Sequence, residues 1–201
     1  MFGKICNMTR HDQTKEKILK TARDLVLESG PDKLSLRKVA AAASFSPSSI
    51  YEYFESKEEI IQTLAASTVS KLDALMAKVP KSIDAPSRLA RFMACYITFA
   101  RKQPEDFLLA FHRLPSGRTS PAQAVEDTPY GRILKTARDG IEDGSFLPQD
   151  AETIAYGAWG LAHGLATLQV THLKNYDVNF KTADKVIITA WISGLGRKKN
   201  S

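Results

Sequence analysis

Cysteine is nearly missing from this 201-residue chain: Cys6 stands near the start and Cys95 in an apolar helical stretch, with no Cys-x-x-Cys pair. That excludes a thiolate metal site and a disulfide framework, and both residues read as free reduced thiols. No uncharged apolar run reaches the ~18 residues that a membrane-spanning helix needs, so no membrane partner is expected. The opening residues, MFGKICNMTRHDQTK, lack an apolar h-region and a small-residue cleavage site; a disordered arm over residues 1–11 and a cytoplasmic location are expected. A Gly-rich phosphate loop and a nucleophile motif are also missing. The four histidines, His11, His112, His163 and His172, form no pair at metal-ligand spacing. An enzyme is therefore disfavoured, and no catalytic residue, metal or cofactor is expected. Strand-like alternation is scarce, and neither a repeat period nor a low-complexity run occurs.

Present instead is ordinary globular composition, 43% hydrophobic and 25% charged, with a net charge of +6 and a pI near 9.3. A basic balance favours a polyanionic partner, because each Lys or Arg near a phosphate displaces a condensed counterion. The excess is spread evenly, +3 over residues 1–57 and +3 over the remainder. A basic stripe suited to indiscriminate nucleic-acid binding is thus lacking.

Helical spacing of apolar residues runs almost throughout, as in Ile18, Ala22, Leu25 and Val26, or Leu89, Phe92, Met93, Tyr96 and Ala100. The fold class is all-α, with about nine helices. Ser29-Gly30-Pro31 ends a first helix expected from about Asp12, and further breaks fall at 79–86, 103–104, 115–129 and 143–148. The expected organisation is a small front over residues 12–57, a larger helical rear over 58–197, and a basic tail over 198–201.

Residues 35–57, SLRKVAAAASFSPSSIYEYFESK, carry the sharpest chemistry. Ser35 caps a helix whose buried stripe is Leu36, Val39, Ala40 and Ala43. The chain turns at Ser44-Phe45, and Ser46-Pro47 restarts it with a serine cap and a proline at N1. In such a bihelical unit the second helix lies in the major groove with its N-terminal residues nearest the base edges. That helix is expected to end near Phe54, because Ser56 and Glu59 form a capping box for the next one. Ser46, Ser48, Ser49, Tyr51 and Tyr53 supply five hydroxyls in eight residues for phosphate oxygens. Lys57 stands at a helix N-terminus, where an anion is already favoured. Base reading falls to Arg37, Pro47, Ser48 and Ser49, while Phe45, Ile50 and Phe54 pin the helix to helix one.

Gly30, Leu36-Arg37-Lys38-Val39-Ala40, Ala43-Ser44-Phe45-Ser46, Ser48-Ser49-Ile50-Tyr51, Tyr53-Phe54 and Lys57 together resemble the DNA-binding domain of TetR-type transcriptional regulators. The resemblance covers about residues 12–65. It implies a homodimer on a palindromic double-stranded operator, acting as a repressor released by a small molecule bound in the rear domain. Where that family usually carries a glycine in the turn, this chain has Ser44; a positive φ there would cost on the order of 1 kcal/mol. Tyr53 stands where a histidine is common.

The rear diverges more. Gly157, Gly160 and Gly164 sit inside one helical run, AETIAYGAWGLAHGLATLQVTHL, and each costs roughly 0.5 to 1 kcal/mol against alanine, so another backbone must approach closely. With Leu168, and with Ile188, Trp191 and Leu195 of the last helix, they form a candidate dimer interface; packing within one subunit explains them equally well without the family resemblance. Phe92, Met93, Tyr96, Phe99, Phe107 and Phe111 would line an effector pocket for a small apolar or aromatic molecule, or serve as plain core. Trp159 and His163-Gly164 resemble a Trp and His-Gly signature of one TetR subgroup. His163 reads either as a pocket residue or as a satisfied core histidine.

Overall fold

A computed structural model describes residues 9–112 and 128–196. Among the described residues there are nine α-helices and no strand: α1 (Arg10–Ser29), α2 (Leu36–Ala43), α3 (Pro47–Tyr51), α4 (Lys57–Met76), α5 (Ala85–Lys102), α6 (Pro104–His112), α7 (Pro129–Glu142), α8 (Ala151–Val170) and α9 (Phe180–Leu195). A single 3-10 turn, Pro31–Lys33, separates α1 from α2. None of these helices is long and apolar enough to cross a membrane. Cys6 and the basic tail lie outside the described residues; Cys95 is a free thiol that burial pushes up.

Local chemistry sets most helix starts. Ser35, Ser46, Asp84, Thr128, Asp150 and Asn179 each accept a hydrogen bond from the backbone N–H three residues on, satisfying a donor that the helix itself cannot. At α1 the start differs from the expected Asp12. Thr9 is the cap, with its Oγ1 accepting from Asp12 N–H at 3.1 Å while Asp12 Oδ2 accepts from Thr9 N–H at 3.1 Å. This reciprocal pair draws Arg10 and His11, expected in the arm, into the helix.

The chain forms two compact units, and the division falls within α4, between Ala66 and Ser67. The boundary expected at Lys57 is therefore the start of a helix whose first half completes the first unit. In that unit Ile18, Ala22 and Val26 of α1 pack with Leu36, Val39 and Ala40 of α2, Ile50 of α3, Phe54, and Ile60, Ile61 and Leu64 of α4. The four-residue spacing in α1 and the three-and-four spacing in α2 put each set on one helix face. In the second unit α5 is central, packing against α7, α8 and α9, while α7 also packs on α8. Ion pairs tie this bundle together: Arg88 to Asp139 at 2.9 Å, Arg101 to Asp184 at 3.1 Å, and a bidentate Arg132 to Asp73 at 2.7 and 3.0 Å.

Candidate nucleic-acid interface

The turn between α2 and α3 is closed by a left-handed residue. Ser44 has φ 61 and ψ 42, and it is the one described non-glycine residue with positive φ. Its N–H and that of Phe45 return to the end of α2, with Phe45 N–H to the Ala40 carbonyl at 2.9 Å. This helix-ending motif usually employs glycine; serine holds the same conformation at a cost of about 1 kcal/mol. Half-buried Phe45 packs against the core of the unit beside α2 and fixes the direction in which the chain leaves.

Ser46 then caps α3, accepting from Ser49 N–H at 3.1 Å, and Pro47 occupies the first turn. The helix is shorter than expected. It ends at Tyr51, and a turn through Glu52 and Tyr53 carries the chain to Phe54. Ile50 and Phe54 are almost wholly buried, so the two residues expected to pin this segment do enter the core. Pro47, Ser48 and Tyr51 are exposed, Tyr51 at 58%. The Ser46 hydroxyl lies 2.8 Å from that of Ser48 and 2.7 Å from that of Ser49. The three hydroxyls therefore satisfy one another in the absence of an external acceptor.

Ser56 caps α4 through Glu59 N–H at 3.1 Å, but the Glu59 carboxylate accepts from Glu55 N–H at 2.7 Å, one residue before the cap position expected of a capping box. Lys57 opens α4 and sits 3.9 Å from Glu58. Ser35 accepts from Lys38 N–H at 3.3 Å, and Arg37 is exposed on α2.

Sequence reasoning missed what α1 adds. His11 stacks on Tyr53 with ring centroids 4.7 Å apart; Lys15 lies over the Phe54 ring at 5.2 Å and Lys17 over Phe45 at 4.9 Å. The two lysines cover Phe54 and Phe45 and bring positive charge beside α3. The only signal in the sequence was the run of basic residues after Thr9, which by itself says nothing of the aromatics it meets.

Together these features form a helix-turn-helix: two short helices, a three-residue left-handed turn, an exposed hydroxyl-rich second helix and a lysine at the next helix start. The model of bacterial regulatory proteins of the tetR family matches residues 18–64, and a tetracyclin repressor-like C-terminal domain matches residues 89–184. The chain belongs to the TetR family. It thus carries a DNA-binding transcription-regulator fold. Solved structures of TetR type share that fold. A protein of unknown function from Rhodococcus sp. RHA1 matches with TM-score 0.76 and 22% identity, covering 97% of this chain and 100% of that one. A putative tetR family transcription regulator from Shewanella sp. PV-4 has TM-score 0.71 and 16% identity over 92% of this chain and 99% of that one. The fatty acid degradation regulator FadR from Bacillus halodurans has TM-score 0.67 and 17% identity, covering 94% and 97%. No curated protein matches the sequence.

In the second unit of this TetR-family chain, four of the expected pocket residues meet. The Tyr96 hydroxyl lies 2.9 Å from His163 Nδ1, and Phe107 lies edge-on to Tyr96 and 5.7 Å from the His163 ring. Trp159 adjoins the Tyr96 hydroxyl and packs edge-to-face on Tyr130 at 5.6 Å. Burial pushes the Tyr96 hydroxyl up and holds His163 below its usual range, favouring neutral forms of both. Phe92, Met93 and Phe99 are buried on α5. Phe111, on the last turn of α6, falls in the stretch that belongs with the first unit.

The three glycines of α8 separate. A Cβ at Gly157 would lie 2.8 Å from Trp191 Cζ2, so Gly157 and Trp191 meet within the chain; a Cβ at Gly160 or Gly164 would meet nothing within 4 Å. Ile188 is buried inside the unit, Leu195 is half-buried, and Leu168 is 46% exposed.

Proposed function

We propose that the protein is a homodimeric, sequence-specific transcriptional repressor that a small-molecule effector releases from a palindromic operator. It acts in the cytoplasm, and catalysis has no part in it. The observation that carries this reading is the left-handed Ser44 turn delivering exposed Pro47, Ser48 and Tyr51 from a buried Ile50 and Phe54 base. On docking, Ser48 and Ser49 exchange their hydrogen bonds to the Ser46 hydroxyl for base edges and phosphates. Tyr51, Tyr53 and Lys57 grip the backbone, with Ser35, Arg37 and Ser46 at the margins. Few groups reach bases, so groove shape and two half-sites at fixed spacing supply the remaining discrimination.

Dimerisation is supported by a ridge along α8. Tyr156, Gly160, Gly164 and Leu168 follow at four-residue spacing and are all exposed, and a Cβ at either glycine would meet nothing within 4 Å among the described residues. Helices crossing on such a ridge approach closely, which accounts for glycines that otherwise weaken the helix. Exposed Val186 and Ile187 extend an apolar face along α9. The effector site is the cluster of Tyr96, Phe107, Trp159 and His163, a neutral aromatic setting suited to an apolar or aromatic molecule with one or two polar atoms. The name of the Bacillus halodurans relative, a fatty acid degradation regulator, is consistent with an apolar effector.

Operator selection from a random DNA pool, followed by binding titrations at several salt concentrations, tests the docking. Tyr51→Phe and Lys57→Ala each weaken binding, and Lys57→Ala lowers the salt slope by about one phosphate contact. Unchanged affinity in both variants would reject this docking.

A further inference from the structure

Between α5 and α9 lies a groove of about 360 Å³, lined by Ala90, Ala94 and Thr98 on one wall and Ile188 and Thr189 on the other. It is separate from the aromatic cluster assigned above to the effector. The groove exists because α5 presents only small side chains at Ala90 and Ala94, leaving buried Ile188 as an apolar floor.

Its rim is cationic. Arg91, Arg101, Lys181 and Lys185 border it, and the one carboxylate present, Asp184, is already engaged by Arg101 at 3.1 Å and by Gln169 Nε2 at 2.7 Å. No other acid occurs anywhere in α5 or α9. Arg91, Lys181 and Lys185 have no carboxylate partner among the described residues. On α9 the groove residues occupy the face opposite exposed Val186 and Ala190, so a partner subunit seated on the apolar face leaves the groove accessible.

We infer that this groove is a second ligand site, one that takes an amphipathic carboxylate: the aliphatic body lies along Ala90, Ala94 and Ile188, and the carboxylate meets Arg91 and Lys185. Burying an aliphatic chain there removes apolar surface on both sides from water, and the unpaired cations choose the sign of the head group. The volume falls within the usual range for small-molecule sites.

Calorimetric titration of the full-length protein with dodecanoate, below its micelle concentration, tests the assignment. Dodecyltrimethylammonium, with the same tail and the opposite charge, is the comparison. Dodecanoate binds at least about tenfold tighter than the cation, and the double variant Arg91→Glu/Lys185→Glu removes that preference. Ala94→Trp, which fills the groove from an exposed position, abolishes dodecanoate binding while the thermal midpoint confirms a folded protein. The proposal is overturned if dodecanoate does not bind, or if its affinity survives Ala94→Trp. It is equally overturned if charge reversal changes the sedimenting mass rather than ligand affinity, for then a second copy covers the groove.

Discussion

In the first unit the hydrogen bonds that fix functional side chains span three or four residues: Ser35 with Lys38, Ser46 with Ser49, Ser56 with Glu59, Glu55 with Glu59. In the second unit the polar contacts that organise the bundle bridge far longer separations, 51 residues for Arg88 and Asp139, 59 for Arg132 and Asp73, 67 for Tyr96 and His163, and 83 for Arg101 and Asp184. A locally stitched element holds its shape wherever the short sequence recurs, so it can be recognised as a motif. A bundle stitched across long separations can change its inner surface by single substitutions and keep its helices. The first arrangement suits a fixed task, docking to a double helix of constant shape; the second suits a site whose ligand differs between relatives.

The largest effect that would sharpen this contrast is expected at the base of the reading segment. Phe54→Ala removes a buried ring and destabilises the first unit by roughly 3 to 5 kcal/mol. Operator binding is lost, while sedimentation still reports a dimer, since the association face proposed above lies in the second unit. Loss of the dimer in this variant would show that the two units do not keep separate tasks.

A second test reverses the direction. A Cβ at position 160 would meet nothing within 4 Å among the described residues, and Gly160→Leu raises intrinsic helix propensity by roughly 0.6 to 0.8 kcal/mol, yet it converts the protein to monomers by sedimentation. Operator affinity falls with it, because two half-sites are no longer held together. A dimer that persists would place the association face away from the α8 ridge.

The smallest expected effect concerns the turn. Ser44→Gly relieves a left-handed serine and raises denaturation stability by about 1 kcal/mol, with operator specificity unchanged. No gain in stability would mean that the serine hydroxyl compensates its backbone strain.

Much of the first unit was legible from the chain alone. Ser46-Pro47 announced α3, Ser56 and Glu59 announced α4, and the stripe of Leu36, Val39, Ala40 and Ala43 gave α2 its buried face. The misjudged details came from competing local chemistry. The first helix began at Arg10, before the expected Asp12, because the Thr9 and Asp12 side chains satisfy each other's backbone donors, and α3 stopped at Tyr51 because Tyr53 and Phe54 N–H groups both return to the Ile50 carbonyl, at 3.0 Å each. In the second unit the aromatic residues were visible, but their partners were not. Nothing in the sequence tells that Gly157 receives Trp191 while Gly160 and Gly164 remain uncovered, since all three differ from their neighbours in the same way.

The sequence by itself therefore determined the helical class and the starts of α2, α3 and α4, because caps, prolines and apolar spacing act within about four residues of chain. The tertiary structure alone decided which lysines lie over Phe45 and Phe54, that His11 stacks on Tyr53, which aromatic residues gather about His163, and where small residues on α5 leave an apolar groove rimmed with positive charge. Those outcomes depend on helices meeting side by side, and packing between distant segments is set by shape and volume rather than by any local spacing.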